Sequence, residues 1–476
     1  MIELIESFFA KFATLCEDRL FFDVFDPFHS DVLPKLPFLL FIFCVAAVWF
    51  SVYLKFPNFR FFRKALRLFA EKEKEGEKTI TSRSAFLTAI SSCVGVGNIT
   101  GVAAAVYFGG PGAVFWMFAL GFLITPVRFA EVLLGHKYRT IDASGEVTEC
   151  GPFAYIRKGL PEVGLAKIAP FFAKFFAISL VLASIGAITI QTNQATDLLT
   201  NAISTPESLN FVKMIFGTII CGVFLAVVVG GFKRIVHVAE KLIIVKSVTY
   251  ICLLVFIISI NYSHFFEAMQ IIVSSAFNPV AIKGGTFGII FIAMQRVLVS
   301  TEVGFGTVSL IHGRTKNPDS VKEALLSMMG PFVGNSTFIA LNGIAVVMTG
   351  FYRSPEKGIM MIANMVKANG GNPLFWYFCT IVSVFAFATI IAWYYYAENS
   401  IRKITNRKFA ITIYQGFCVT LIFMSCFVSF CVMLKIIDIV TIFMLVPNLT
   451  ILLLLSKKVK GALSDYEKSN KCRKIK

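Results

Sequence analysis

Several long windows of this chain, 36–54, 211–230, 247–260, 373–397 and 411–434, hold at most one charged residue each. The hydrocarbon core of a bilayer is crossed by ~20 apolar residues in a helix. In lipid the backbone must satisfy its own polar groups, so repeated windows of this kind leave few folds open. The chain is read as an all-α polytopic membrane protein. Composition agrees, with 57% of the 476 residues hydrophobic and 15% charged. A soluble domain would carry roughly 25% charged residues.

Eleven spans are expected, at 36–54, 82–107, 111–134, 171–199, 211–230, 236–260, 285–310, 327–350, 373–397, 408–433 and 436–456. With the N-terminus outside, the inner segments (55–78, 135–170, 231–235, 311–326, 398–408, 457–476) hold 30 Lys and Arg, against 8 in the outer ones. Inner loops carry the excess of Lys and Arg, so an outside N-terminus and an inside C-terminus are expected. The excess of 45 Lys and Arg over 28 Asp and Glu therefore points to membrane topology and not to nucleic acid. The basic tail 457–476 is expected to face anionic inner-leaflet lipid. Residues 1–35 read as an amphipathic surface segment, "ESFFAKFATLCEDRLFF". They carry seven acidic residues and no basic n-region of a cleaved signal. The eleven cysteines show no paired spacing, so neither a disulfide framework nor a metal site is expected.

One span departs from ordinary helix chemistry. In "ISSCVGVGNITGVAAAVYFGGPG" (90–112), Gly95, Gly97, Asn98 and Gly101 fall within seven residues. Gly and Asn are weak helix formers, so the backbone is expected to unwind there. A second glycine-interrupted span, "RVLVSTEVGFGTVSL" (296–310), follows about 200 residues later. Five spans begin with each break, and an odd period inverts the second set. Inverted repeats opening on broken helices are the pattern of secondary transporters, whose unwound N–H and C=O groups hold carboxylates and cations. The expected layout is 1–35 surface segment, 36–81 extra helix and basic loop, 82–260 first repeat, 261–284 outer loop, 285–456 second repeat and 457–476 tail.

Individual side chains follow from this frame. Asn98, an amide beside two glycines in a broken span, is expected to bind a substrate carboxylate with the adjacent Gly97 backbone. Glu302, inside the second break, either caps freed N–H groups or attracts a cation or proton. Gln191 and Asn193 form a polar patch that solvent alone could also explain. Thr389 and Trp393 lie at i, i+4 on one helix face, suited to ligate a cation and to wall an apolar pocket, with lipid-interface anchoring an equal reading of Trp393. Arg128 and Glu131 fit a gate or interface pair near the inner edge. Lys246 lies about ten residues into its span, roughly 15 Å deep at ~1.5 Å per residue, where an ammonium needs a partner or a function. "GVGNITG" lacks the spacing and strand context of a dinucleotide fingerprint. The five histidines lack metal spacing, and no acid–base or nucleophile set converges. No enzyme activity, cofactor or nucleic-acid partner is therefore expected. A channel is the rival reading, though one inverted pair does not supply a pore's symmetric filter.

The segments "GVGNITGVAAAVYFGGPGAVFWM" (95–117), "RFAEVLLGHKYR" (128–139), "GGFKRIVHVAEKL" (230–242), "VSTEVGFG" (299–306) and "FAFATIIAWYYYAE" (385–398) resemble the alanine or glycine:cation symporter family over nearly the whole chain. The resemblance implies a five-plus-five, leucine-transporter-like core behind one extra helix. It also implies cation-driven uptake of small neutral amino acids across the cytoplasmic membrane of a bacterial cell, by a monomer. On it, Gly97, Asn98 and Gln191 contact substrate, and Val96, Thr389 and Trp393 line the pocket. Sodium, the coupling ion it implies and the only metal expected, would lie at Thr389 and Val96. The departures from the family pattern are Val96 for Thr, Thr301 for Asn, Val303 for Ala, and Gly334 followed by Asn335 for an Asp-containing stretch. Ile244 and Lys246 stand for Pro and Met. In similar proton-coupled permeases a lysine of this helix occupies the place of a sodium ion, so Lys246 with a proton is the alternative coupling device.

Overall fold

The computed structural model describes residues 38–71, 80–203, 208–229, 231–277, 285–315, 317–405 and 407–475. The expected amphipathic segment 1–35, residues 72–79 of the basic loop and the Asn335 side chain lie outside them. The first repeat is preceded by α1 (Phe38–Tyr53). It comprises the broken span α2 (Ser82–Cys93) and α3 (Gly97–Gly109), then α4 (Gly112–Leu123) with α5 (Thr125–Lys137), α6 (Ala169–Ile203), α7 (Leu209–Val228) and α8 (Gly231–Ile260). Helix α9 (Phe265–Phe277) leads to the second repeat. That repeat opens on α10 (Gly285–Thr301) and α11 (Thr307–His312), then α12 (Ser320–Ser327) continuing through a π-helical turn into α13 (Ala340–Met348). It ends with α14 (Ile359–Ile404), α15 (Lys408–Ser425) and α16 (Phe430–Leu454) before the tail helix α17 (Ser456–Ile475). Helix α14 is bent at Gly371, φ 63°, just ahead of Pro373.

Among the described residues, seven helices are long and apolar enough to cross a membrane, and the bent pair α2–α3 makes an eighth. Shorter apolar helices at Phe41–Tyr53, Gly288–Thr301 and Thr337–Met348 occupy the other expected span positions.

The two breaks have local causes. Thr81 caps α2 by accepting from Ser84 N–H at 3.0 Å. The helix stops at Val94 (φ −88°, ψ 83°) and resumes at Gly97, turned by 42°. The second break runs through Glu302, Gly304 and Gly306 at φ 52°, 84° and 83°. Glycine takes that left-handed region freely, whereas a glutamate there is held by its surroundings. The hairpin at Gly110–Pro111 brings Gly112 against the backbone of Ser275 and Ala276, and Trp116 Nε1 donates to Ala276 O at 2.9 Å.

The long helices α6 and α14, third in each repeat, pack along one another, and α6 also packs on α16. The broken spans meet through α3 and α10, while α8 lies against α2 and α14. Helices α7 and α15 stand outermost, exposing Phe211, Ile215, Ile219, Phe409, Ile413 and Phe417, the surface expected to face lipid. The tail helix folds back onto α5 and α12. Its tethers are Lys458–Glu162 at 2.6 Å and Arg60–Glu467 at 2.7 Å.

Candidate functional site

The first break leaves backbone groups that neighbouring helices take up. Val96 N–H donates to Gln191 Oε1 of α6 at 3.0 Å. The carbonyls of Ser91 and Val94 accept from Lys246 Nζ of α8 at 3.1 and 2.8 Å. The ammonium also lies 4.8 Å from the centre of the Phe385 ring, and Lys246 is 1% exposed. A cation–ring contact of this kind suits a desolvated charge. The partner that a deep lysine requires is thus a pair of carbonyls at the end of a broken helix, where the helix dipole is negative.

Gly95 is pressed by side chains from two helices. A Cβ there would stand 2.6 Å from Thr389 Oγ1 and 2.9 Å from Gln191 Nε2. The structure therefore brings Gln191, Thr389, Gly95 and Val96 together. Asn193, two residues from Gln191, points elsewhere and donates to Ser425 O and Val428 O. Both residues are buried, so solvation does not account for the patch. Asn98, 1% exposed, reaches Gly334 O with Nδ2 at 3.5 Å, and its Oδ1 has no hydrogen-bond partner among the described residues. Gly97 adjoins open space, with nothing within 4 Å of a Cβ built there.

The second break is held from a different direction. Glu302 accepts from Trp393 Nε1 at 2.9 Å, Thr307 Oγ1 at 3.0 Å and Ser92 Oγ at 3.5 Å. Trp393 sits one helical turn beyond Thr389 and meets Phe305 edge-on. Glu302 thus joins the second break to the end of α2, on which Lys246 also rests. It does not cap the freed N–H groups. That task falls to Glu131, whose carboxylate accepts from Gly304 N–H at 2.9 Å. Arg128 donates to Thr301 O at 2.5 Å and pairs with Glu131 at 3.3 Å. Asn448 donates to Gly304 O at 2.7 Å, and Tyr155 donates to Asn448.

Two clusters escaped the sequence reading. Tyr250 donates to Asn342 Oδ1 at 2.5 Å inside the bundle. At the end carrying the basic loops, Glu323 meets His312 at 2.5 Å and Ser82 at 2.6 Å, and His136 contacts Ser320 and Arg139. Glu323 and Asn342 are polar residues in or beside apolar runs, which was the available signal. No group of three or more metal-binding side chains occurs among the described residues.

Two five-span repeats, each opening on a broken helix, with buried polar groups gathered at both breaks, define a secondary transporter of the five-plus-five class. The family model described as "sodium:alanine symporter family" matches residues 22–476, and the chain belongs to that family. An uncharacterised transporter of Haemophilus influenzae is 31% identical over 438 residues, 90% of this chain and 92% of that one. The sodium/alanine symporter AgcS of Methanococcus maripaludis is 30% identical over 445 residues, 92% and 95% of the two chains. The crystal structure of MhsT in complex with L-phenylalanine matches with TM-score 0.54 and 16% identity, over 82% of this chain and 93% of that one. That likeness carries the fold, which is the leucine-transporter-like one expected. The chain is a multi-pass membrane protein that performs cation-coupled amino-acid symport.

Proposed function

We propose that this symporter brings a small neutral amino acid such as alanine or glycine into the cell. The observation that carries the reading is the convergence of Gln191 and Thr389 on the unwound Gly95–Gly97 segment, with the buried amide of Asn98 directly beyond it. Asn98 offers both poles a zwitterion needs: Nδ2 for the carboxylate and an unpartnered Oδ1 for the ammonium. Val96 on that segment, Ala103 and Ala104 on α3 and Trp393 on α14 are buried apolar groups, and they leave little to satisfy a charged side chain. The positive-inside pattern supports a C-terminus in the cytoplasm of a bacterial cell, and the chain is read as working as a monomer in the cytoplasmic membrane. Labelled alanine uptake into proteoliposomes tests this. Glycine and serine should compete, glutamate and lysine should not, and preloaded alanine should accelerate uptake by counterflow. Asn98→Ala should weaken binding by ~1–3 kcal/mol, the cost of a buried unsatisfied group. Unchanged affinity, or equal competition by glutamate, overturns the assignment.

Sodium is the ion that the family supports, with Thr389, Val96 and Glu302 as its candidate neighbours. A second reading is favoured by one observation, the Lys246 ammonium seated on the carbonyls of Ser91 and Val94. On this reading Lys246 takes the place of one sodium and carries a proton through the cycle. Uptake should then persist without sodium, rise with an inward proton gradient and lose its pH response in Lys246→Met. Strict sodium dependence without a pH response removes this reading and leaves the first.

A further inference from the structure

Where the loop after α5 meets the start of α6 and the end of α14, the surface is hollowed into a groove of about 490 Å³. Its apolar lining comes from one face of α6 and the turn before it, Ala166, Ala169, Ala173 and Ala177, with Ile404 opposite. These small side chains leave the space between the elements unfilled there. Three cations stand around it: Arg157 from the loop, Lys174 from α6 and Lys403 from α14. Arg157 pairs with Glu149 at 2.8 Å, and Lys403 donates to the carbonyl of Thr148 at 2.6 Å, both on the hairpin strand Val147–Glu149. One carboxylate thus stands against three cations.

The apolar surface beside the groove is exposed: Ile168 39%, Phe171 66%, Ile178 45% and Ile404 44%. In a multi-pass membrane protein such a face is solvated by acyl chains. The groove therefore lies where that apolar belt gives way to the basic loops. A ligand suited to it carries a negative phosphate at one end and hydrocarbon at the other. Lys and Arg near a membrane surface draw anionic lipid. We infer that this groove is a binding site for one anionic phospholipid of the leaflet facing the basic loops, its phosphate held by Arg157, Lys174 and Lys403 and its chains lying along Phe171 and Ile178.

The inference does not depend on which amino acid or ion is carried. It is tested with the full chain, purified in mild detergent and exposed to equal amounts of phosphatidylglycerol and phosphatidylcholine, with bound lipid counted by native mass spectrometry. One phosphatidylglycerol should be retained in preference to phosphatidylcholine. Arg157→Gln/Lys174→Gln/Lys403→Gln should lower its apparent affinity about tenfold or more. A matched triple, Lys457→Gln/Lys460→Gln/Lys468→Gln on the tail helix, should retain it. Ala173→Leu fills the groove without touching charge and should also expel the lipid, which keeps the test open if the charge triple misfolds. Equal retention of the two lipids, or retention by both groove variants, overturns the inference. So does displacement of the lipid by inorganic phosphate at matched concentration, which would make the groove a free-anion site.

Discussion

Lys246 Nζ and Val94 O stand 2.8 Å apart, an ammonium from α8 closing the carbonyl end of a helix that stops in mid-membrane. The break itself creates the acceptors: Val94 N–H still closes onto Ile90 O, but Gly95 N–H turns to Cys93 O and Asn98 N–H to Gly95 O, away from the carbonyls of Ser91 and Val94. Removing the ammonium while keeping the stem, as in Lys246→Met, strands the carbonyls of Ser91 and Val94 in an apolar setting. A buried group left unpaired costs ~1–3 kcal/mol. The variant should unfold at lower temperature, and sodium should restore it, since a monovalent cation can take the vacated carbonyls. Equal sodium responses of parent and variant in thermal unfolding would show that the carbonyls hold no exchangeable cation.

Gly95 sits where two helices leave no room for a side chain. Gly95→Ala would place its Cβ 2.6 Å from Thr389 Oγ1 and 2.9 Å from Gln191 Nε2. Either those side chains retreat or the unwound segment shifts, and both displace the groups proposed to meet substrate. Uptake should fall by about tenfold or more, within the ~100-fold that a 1 Å misplacement of positioned groups can cost an enzyme. Gly95→Ala/Thr389→Ala removes the nearer clash and should recover part of the loss in substrate affinity. If the double variant is no better than the single one, crowding by Thr389 is not the cause.

Arg128 and Glu131 hold the second break from both sides, the guanidinium on Thr301 O and the carboxylate on Gly304 N–H. Both side chains are at most 1% exposed. Removing one member of a buried pair leaves an uncompensated charge, at roughly 3–5 kcal/mol. Glu131→Ala should therefore lower the unfolding midpoint severely. Arg128→Met/Glu131→Met should lie closer to the parent than Glu131→Ala does. Simple addition of the single-variant effects would argue against coupling between the two.

Much of this was legible in the chain because bilayer physics narrows the choices. Window length located the spans, and the clusters Gly95–Gly101 and Gly304–Gly306 located both breaks, since few other residues interrupt an apolar helix without a proline. The depth of Lys246 announced that it needed a partner, though nothing in sequence said the partner would be backbone. Glu302 and Glu131 were harder to sort. Both are acidic residues near a break, and which one meets the freed N–H groups depends on how α5 crosses α10 and α11. Glu323 lies just ahead of its expected span, 327–350, so it read as a loop residue, yet it is fully buried against His312 and Ser82. Side-chain partners separated by more than a hundred residues leave no periodic trace.

Acid should loosen the tail helix at its root. Lys458 and Tyr138 both donate to Glu162, and these bonds hold its carboxyl below the usual carboxylate range. A carboxylate with a lowered pKa contributes stability that is present above its ordinary value of ~4.3 and is lost as pH falls through the lowered one. Glu162 is 44% exposed on its side chain, so the contribution is modest and screened by salt. Protease access to residues 456–475 should rise as pH falls below about 4 and should rise less steeply in Glu162→Gln, which lacks the titrating group. A pH profile identical in the two proteins would place the acid-sensitive contact elsewhere.

The carboxylate of Glu302 raises the question of charge against shape. It accepts from Trp393, Thr307 and Ser92 while held at φ 52°, so it fixes the second break and touches the end of the first. Glu302→Gln keeps an acceptor for the indole N–H, and the Thr307 and Ser92 hydroxyls can rotate to accept from the new amide. The hydrogen bonds survive and only the charge goes. Glu302→Ala loses both acceptor oxygens at once and strands the Trp393 and Thr307 donors, whereas Ser92 keeps Ala89 O. If the charge helps to draw in the coupling cation, Glu302→Gln should stay within about 1 kcal/mol of the parent in stability. Its uptake should nevertheless lose cation dependence, whether the cation varied is sodium or the proton. Glu302→Ala should be impaired in both measurements. Parental cation dependence in Glu302→Gln would leave Glu302 as a brace between the two breaks, with the cation met by Thr389 or displaced by Lys246.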